Sequence, residues 1–470
     1  MPDQPVIFWF RDDLRLNDNP GLTSAVQSAA PLVLLYLLDE RSPGVRPLGG
    51  AARWWLDKSL RALSEDIGAR GGELILRRGS AEDEVNRLIR ETGARSVIWN
   101  RRYGPARQTD QQLKTVLAEA GVEAQSFNGS VLVEPFALKT GAGSPFKVFT
   151  PFWKALCAAY DPPPAMLAPR RLTCVRDLPS DRLDDWELHP SRPDWSAGLA
   201  EAWRPGETAA LERLTDFLTE QVAEFPDQRD IPGRDATSRL SPYLRFGEVS
   251  PAHVWRAARA AEAAGASSAG IDKFLSELAW RDFSWSLLYH DPEMGRLSWR
   301  RSFESVAWRD PPEGELNAWR RGRTGFPIVD AGMRQLWSTG WMHNRVRMIV
   351  ASFLTKDILA HWRVGEDWFW DTLVDADEAN NAAGWQWTAG TGADAAPYFR
   401  VFNPIAQGER FDPDGAYIRR WVPELAHLPA KQIHRPIEAG AEGTEAYPAP
   451  MLDHAGARLR ALEAFAAAKT

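Results

Sequence analysis

The chain has 470 residues and a formal net charge of −7, with 44% hydrophobic and 25% charged residues. This is the composition of an ordinary globular protein with two or three domains. No stretch approaches the roughly 20 consecutive apolar residues of a membrane span, and the first residues lack the basic and apolar segments of a signal peptide. We therefore expect a cytoplasmic protein with no membrane segment.

The chain contains two cysteines, Cys157 and Cys174. Without a secretory signal, both are expected to be reduced thiols. No Cys/His spacing resembles a zinc site, and no metal is expected.

The first 130 residues alternate short apolar runs with amphipathic stretches. The apolar runs predict buried parallel strands, and they are Val6–Phe10, Leu32–Leu38, Glu73–Leu76 and Ser96–Trp99. The amphipathic stretches predict helices over Ala51–Ile67, Ala81–Arg90 and Ala106–Ala120. This alternation predicts an α/β domain with a doubly wound parallel sheet over residues 1–134. No G-x-G-x-x-G motif follows the first strand, so the domain need not bind a dinucleotide in the Rossmann manner.

Residues 135–204 are rich in proline, glycine and charge, with the run DPPP at 161–164. This is typical of a long surface connection between domains. From 205 to 470 the pattern is helical, with apolar residues at i, i+3 and i+4. The predicted helices are Ala209–Val222, Pro251–Ala264, Ile271–Tyr289, Ile328–Thr339, Met342–Leu359 and Glu366–Val374. We therefore predict an all-α C-terminal domain.

Charge and aromatic residues are distributed unevenly along the helical part. Residues 317–347 contain six arginines and a single acid, Asp330, which makes a basic patch on an acidic protein. A run of this kind taken alone is usually a solvated face, but binding depends on local charge because fields are screened within about 8–10 Å in physiological salt. Twelve of the 22 tryptophans lie between Trp280 and Trp387. Core packing can account for half of them, and a cofactor, stacking or electron-transfer role is considered for the rest.

Two motifs combine groups that suit phosphate and nucleobases. In the run GRDATSRLSPYLRFGEVS, three hydroxyl residues precede a helix beside Arg239, which suits an anion. Simple N-capping by Thr237 or Ser241 is the alternative. On the next predicted helix, Glu277 and Trp280 are three residues apart and share a face. A carboxylate and an indole can bind the edge and the face of a base, although an exposed glutamate over a half-buried tryptophan is the plainer interpretation.

Two further motifs follow. In WMHNRVRM, Asn344 and Met348 share a helical face between arginines, where asparagine can pair with a base and methionine can pack on an apolar ligand or fill the core. In DADEANNAAGWQW, a metal site is conceivable, but histidines are few and scattered. At helical pitch Trp385 and Trp387 point about 200° apart. One of them can therefore face the interior while the other faces a ligand pocket.

Several long segments carry a family likeness. WFRDDLRLNDNP, TSRLSP, TGFPIVDAGMRQL, GWMHNRVRM and GWQWTAGTGADAAPYFRVFNP occur in this order, and the sequence resembles DNA photolyases and cryptochromes. The resemblance spans nearly the whole chain and is densest from about 225 to 425. It implies an N-terminal α/β domain and a helical domain that holds FAD, the photolyase/cryptochrome fold.

The resemblance implies which residues surround the flavin. The loop that would hold the FAD phosphates is Thr237, Ser238, Arg239, Leu240 and Ser241, with Phe225 where many relatives have a tyrosine. The residues beside the ring would be Arg347 paired with Asp375, Asp377 at the pyrimidine side and Asn381 opposite N5. The chain that photoreduces the flavin would be Trp385, Trp362 and Trp308, with Trp385 nearest. Trp319 stays open as an alternative to Trp308, because the local spacing differs by one residue.

The same resemblance implies UV-damaged DNA as the partner of a monomeric enzyme. The pocket for a flipped pyrimidine dimer would be lined by Glu277, Trp280, Asn344, Met348 and Trp387. The DNA contacts would be Arg229, Arg345, Arg400 and Gln407. Excited reduced FAD would pass an electron to the dimer and receive it back after the cyclobutane ring splits, while Glu277 stabilises the dimer radical anion.

Three members of the family are compared: a cyclobutane dimer photolyase, a (6-4) photolyase and a cryptochrome receptor. A (6-4) enzyme would carry histidines in place of Asn344 and Met348. A plant cryptochrome would carry aspartate at Asn381 and tyrosine at Trp387, and cryptochromes commonly add a long C-terminal tail. These features favour dimer repair. The spacing from Asn380 to Gly384 hints at the bacterial class III photolyases.

An antenna chromophore is also expected. Residues 100–104, NRRYG, lie where relatives contact one, although capping of an α/β surface is the alternative. Methenyltetrahydrofolate near Trp54 and Trp55 is the first choice. A deazaflavin, FMN or an empty site stay open.

Overall fold

The computed structural model describes residues 4–394 and 400–468, which form two compact units. The first unit comprises the described residues of Met1–Phe146, Thr150–Ala223 and Ser238–Pro292. The second comprises those of Lys147–Phe149, Glu224–Thr237 and Glu293–Thr470. Within the described ranges, no helix is both long and apolar enough to cross a membrane.

A five-stranded parallel sheet forms the centre of the first unit, in the order β3-β2-β1-β4-β5. Its strands are β1 (Val6–Phe10), β2 (Leu32–Leu38), β3 (Leu74–Arg78), β4 (Ser96–Asn100) and β5 (Glu123–Phe127). Strands β1 and β2 are buried along their whole length, because helices cover both faces of a parallel sheet. The edge strand β5, EAQSF, is only partly buried. It carries no apolar run, and for that reason the sequence pattern does not reveal it.

The helices of the first unit are α1 (Pro20–Gln27), α2 (Gly50–Gly68), α3 (Ala81–Thr92), α4 (Arg107–Glu119), α5 (Phe149–Ala159), α6 (Ala197–Ala202), α7 (Glu207–Asp216), α9 (Ser241–Arg245), α10 (Pro251–Ala263) and α11 (Ser268–His290). Local sequence sets their ends. In α3, for example, Ser80 accepts from the backbone N–H of Asp83, and Gly93 closes the helix in the left-handed conformation at φ 69°.

The segment 135–204 is more structured than its composition predicts. It contains α5, α6 and a short 3₁₀ helix, and Cys174 forms a parallel bridge with Leu32 beside the sheet. The first unit also takes in α7 and α9–α11. The division between the units therefore does not coincide with the predicted boundaries at 134 and 204, since packing against other helices, and not composition, decides where α7 and α9–α11 belong.

The helices of the second unit are α8 (Phe225–Gln228), α12 (Glu313–Arg320), α13 (Pro327–Thr339), α14 (Asn344–Ser352), α15 (Trp362–Thr372), α16 (Glu378–Ala389), α17 (Pro404–Phe411), α18 (Ala416–Trp421), α19 (Ala430–Ile433) and α20 (His454–Ala467). The continuous helix predicted over Met342–Leu359 is wrong in one respect. Helix α14 ends at Ser352 and a π-helical turn follows over Phe353–Asp357. Side-chain periodicity alone does not distinguish these two helical pitches.

A buried polar junction joins β4 to the start of α1. The Asn100 amide donates to Asp13 Oδ2 at 2.5 Å and to Asn19 Oδ1 at 2.8 Å, and its Oδ1 accepts from the N–H of Gly21 at 3.1 Å. Asn100 is 4% exposed. One amide thus satisfies buried groups of three residues at the start of α1 and in the loop before it.

Replacing Asn100 by alanine is therefore expected to destabilise the protein by about 1–3 kcal/mol, because it leaves the partners of the amide buried and unsatisfied. Urea unfolding measures the change. The control is Gln112→Ala, an exposed position of α4, which is expected to stay within about 0.5 kcal/mol of the parent. Equal midpoints for the two variants would contradict the role of this junction.

Candidate functional site

The predicted site residues occur in both units, and each group is described within its own unit. In the second unit, helices α15 and α16 pack closely because α15 has a glycine, Gly365, at their interface. A Cβ at Gly365 would lie 2.0 Å from the Trp385 ring. Trp385 is 2% exposed and also packs edge-on against Phe369 at 4.9 Å. The absence of a side chain at Gly365 thus fixes where α16 carries its functional residues.

Asn381 of α16 is held through its amide nitrogen. Its Nδ2 donates to the carbonyl oxygen of Glu366 at 3.0 Å and to Glu366 Oε1 at 2.7 Å. Among the described residues, none donates a hydrogen bond to Asn381 Oδ1. The side chain therefore offers a fixed acceptor, which fits an N–H group of reduced flavin. Sequence reasoning missed Glu366, because no local pattern relates it to Asn381.

Two aspartates lie shortly before Asn381 in the chain: Asp375 forms an ion pair and Asp377 caps a helix. Arg347 Nη2 is 2.7 Å from Asp375 Oδ2, and Arg347 Nε donates to the carbonyl oxygen of Met342 at 2.8 Å. Asp377 caps α16, where its Oδ1 accepts from the N–H groups of Ala379 and Asn380. The predicted ion pair is formed, and its position beside a flavin stays a prediction.

The loop assigned to the FAD phosphates has an unusual backbone. Arg239 has φ 51°, a left-handed conformation that is uncommon for a residue with a side chain. Within the first unit, Arg213 Nε donates to the carbonyl oxygen of Ser238 at 2.9 Å. Leu240 is the N-cap of α9, with no side-chain capping bond. Neither Thr237 nor Ser241 is therefore the N-cap residue of α9, and phosphate binding by this loop stays a prediction.

Glu277 and Trp280 lie on α11 of the first unit. Lys273 Nζ is 2.9 Å from Glu277 Oε1, and the Glu277 side chain is 29% exposed. Trp280 is half-buried and packs edge-on against Phe283 at 5.8 Å. Both side chains therefore keep part of their surface open to a ligand, as the shared helical face predicts.

Helix α14 presents Asn344 and Met348 on its accessible side: the first is exposed and the second half-buried. Met348 is therefore not core filler. Arg345 contacts Met348 Sδ at 3.8 Å and pairs with Asp230 at 2.7 Å. Its guanidinium also lies 4.3 Å from the ring centre of Phe411. These contacts hold Arg345 in one orientation, and Asp230 is a partner that sequence reasoning did not identify.

His343 precedes this pair and faces the interior. It is 2% exposed, and its Nδ1 accepts from the backbone N–H of Arg345 at 3.2 Å. Burial lowers the pKa of His343 to about 4, so the imidazole is neutral at pH 7. It is a helix cap and offers no acid to a ligand on the accessible side of α14.

The tryptophans assigned to electron transfer contact other aromatic residues of the second unit, and their order as a chain stays a prediction. The ring of Trp385 contacts Trp319, with centroids 6.3 Å apart. Trp362 is fully buried and contacts His361, which also contacts Trp308. Trp319, the alternative to Trp308, is thus a second aromatic neighbour of Trp385. Trp387 is half-buried, so the two α16 tryptophans differ in exposure as the helical pitch predicts.

The remaining predicted DNA contacts lie in the second unit. Arg229 stacks on Phe225 with 5.4 Å between the guanidinium and the ring centre. Arg400 and Gln407 line a cavity of about 370 Å³. Residues 395–399 of the motif GWQWTAGTGADAAPYFRVFNP lie outside the described residues.

The segment considered for an antenna, residues 100–104, begins with Asn100 of the buried junction. Arg11 bonds Asp110 at 2.7 Å, and Arg102 bonds the same carboxylate at 2.6 Å. Trp54 and Trp55 are 1% and 0% exposed. Both indoles are therefore core residues in this structure and present no open face to a stacked chromophore.

Comparisons with known proteins agree with this geometry. The chain matches the DNA photolyase model over residues 6–170 and the FAD binding domain of DNA photolyase over residues 274–467. It is 51% identical to a deoxyribodipyrimidine photo-lyase of Agrobacterium fabrum, over 99% of this chain and 98% of that protein. It is 37% identical to cryptochrome-1 of Arabidopsis thaliana, over 96% of this chain and 69% of that protein.

The crystal structure of a bacterial class III photolyase from Agrobacterium tumefaciens superposes with a TM-score of 0.96 at 50% identity, covering 100% of this chain and 98% of the other. The chain belongs to the DNA photolyase and cryptochrome family. Its fold is the photolyase/cryptochrome fold, as predicted.

Gly365→Ala is expected to destabilise the protein by about 1–3 kcal/mol, because the new methyl group overlaps the Trp385 ring. It should also slow flavin photoreduction, since Trp385 must move. The control is Gly384→Ala on α16, where an added Cβ meets no atom within 4 Å. That variant should be neutral or more stable by about 0.5–1 kcal/mol. Thermal unfolding and photoreduction rates that rank the two variants alike would contradict this packing constraint.

Proposed function

We propose that this protein repairs cyclobutane pyrimidine dimers in DNA by a light-driven reaction. The single observation that carries the choice of dimer repair is the accessible side of α14. It offers the amide of Asn344 and the thioether of Met348, while His343 is buried and neutral. An amide and a polarisable apolar group suit a pyrimidine edge and a cyclobutane ring. A (6-4) photolyase would place histidines at these two positions.

FAD, the cofactor of this family, would supply the electron for opening the cyclobutane ring when it is bound in reduced form and excited by light. The residues proposed to hold it are Thr237, Ser238, Arg239, Leu240, Ser241, Phe225, Arg347, Asp375, Asp377 and Asn381. Their part is to bind and orient. Asn381 keeps its carbonyl oxygen pointed away from Glu366, and the Arg347–Asp375 pair sets a fixed charge arrangement. Trp385 provides the aromatic contact through which electrons enter from the protein, and Trp319, Trp362 and Trp308 are the candidates for the next steps.

The substrate is a dimer that has left the base stack. Because a dimer stacks poorly, flipping it out costs less than flipping an intact base. Trp280 and Trp387 are proposed to stack on it, and Glu277 to accept hydrogen bonds from its edge. Arg229, Arg345, Arg400 and Gln407 are proposed to contact the DNA strand, where arginines neutralise phosphates.

Three finer features are part of the proposal. The protein acts as a monomer in the cytoplasm, and it carries an antenna chromophore. Methenyltetrahydrofolate remains the first choice for the antenna, but a site stacked on Trp54 or Trp55 does not fit their burial. Deazaflavin and FMN are the other candidates. The absorption spectrum of the purified protein, with chromatography of the released pigments, separates them.

The direct test is repair of an oligonucleotide with one thymine dimer by purified, reduced protein under blue light. We expect the dimer to disappear in light and to persist in a dark control. A matching oligonucleotide with a (6-4) lesion should be left unrepaired. Loss of only the (6-4) lesion would assign the alternative enzyme. Bound, photoreducible flavin with no repair of either lesion would assign a cryptochrome receptor instead.

Trp280→Ala should weaken binding of dimer-containing DNA by about 1–3 kcal/mol, the contribution of one base stacked on an aromatic ring. Flavin photoreduction should not change, because α11 has no proposed role in it. Trp195→Ala is the control, since this tryptophan of the first unit is 40% exposed and has no proposed role. Fluorescence anisotropy in fixed salt measures the affinities. Parent-like binding by Trp280→Ala would remove Trp280 from the substrate site.

A further inference from the structure

The cavity beside Arg400 contains a second arginine that no family motif pointed to. Its walls come from the start of α17 and from the C-terminal helix α20, and its volume is about 370 Å³. Arg400, Asn403 and Gln407 line one side, and Arg458 of α20 lines the other with Leu462 one turn further on. The two guanidinium groups thus belong to elements that are distant in sequence but border one cavity.

The charge of this cavity has a single sign. Its described lining residues include two arginines and no carboxylate. Arg400 and Arg458 are exposed, and neither forms an ion pair with any of the described residues. Arg345 differs, because Asp230 already occupies one edge of its guanidinium. Two exposed, uncompensated guanidinium groups attract an anion and can bind its oxygens through paired N–H donors.

The backbone adds to this preference. Asn403 is the N-cap of the eight-residue helix α17, so the positive end of the helix dipole borders the cavity. Lys356 donates a hydrogen bond to the carbonyl oxygen of Arg400. That bond ties the backbone at Arg400 to a buried side chain of the preceding π-helical turn, so the loop end that carries Arg400 is anchored.

We propose that this cavity binds a phosphate of the DNA backbone and that Arg458 is a DNA-contact residue. The inference rests on the proposed function, in which Arg400 and Gln407 already contact DNA. The shared chemistry is a phosphate oxyanion. A strand is favoured over a free ion because the donors are exposed and come from two open walls. Such an arrangement binds one isolated phosphate weakly but adds to the many contacts of a polymer.

The test is Arg458→Gln, with Arg90→Gln as the control that makes the same change in net charge at an exposed position of α3 in the first unit. Binding of dimer-containing and undamaged duplex is measured over a range of salt concentrations. Arg458→Gln should weaken both by about threefold to tenfold and reduce the slope of log K against log salt by about 0.9, the contribution of one phosphate. Arg90→Gln should leave affinity and slope unchanged.

Parent-like affinity and slope for Arg458→Gln would overturn the inference. A second outcome would also overturn it. Inorganic phosphate would compete with DNA more than chloride does at equal ionic strength, and this competition would be lost in Arg458→Gln while the salt slope of DNA binding stayed normal. The cavity would then hold a free ion. The two proposals fail separately. If the salt slope depends on Arg458 but the protein repairs no dimer, the DNA contact stands and the repair function is lost. If the protein repairs dimers but the slope is the same in Arg458→Gln, the repair function stands and the DNA contact is lost.

Discussion

The close approach of α15 and α16 is the constraint on which the rest of the second unit depends. Gly365 lets the Trp385 ring lie against the backbone of α15, and one residue later Glu366 reaches Asn381 across the same interface. Because the residues are neighbours on both helices, packing and hydrogen bonding fix the same register. A side chain at Gly365 would displace both Trp385 and the Asn381 amide, so a steric condition acts on two residues of the proposed flavin site together.

The polar groups of the site share one feature: neighbouring side chains hold each of them in place. Glu366 engages the donor of Asn381 and leaves its acceptor, while Asp230, Met348 and Phe411 contact the Arg345 guanidinium. Groups held in this way lose little freedom when a ligand arrives, so less of the binding energy is spent on ordering them.

Sequence patterns predicted the parts of the fold that depend on local burial. The strands β1 to β4 appear as apolar runs because both faces of the sheet are covered, whereas the edge strand β5 lacks that signal. Motif resemblance supplied residues such as Asn381 and Arg347. It did not supply Glu366 or Asp230, because each is defined by a contact between elements far apart in the chain. Such contacts arise from packing, which no local periodicity records.

The flavin environment alone does not separate a repair enzyme from a receptor, since both need a held flavin and a route for electrons. The difference has to lie in groups that serve only a substrate. On α14 an exposed asparagine and a half-buried methionine face away from the core, although burying Met348 would add stability. On α11 the Trp280 ring is likewise left partly open. A protein that only senses light gains nothing from leaving these side chains unburied, so their exposure is an argument for a bound lesion.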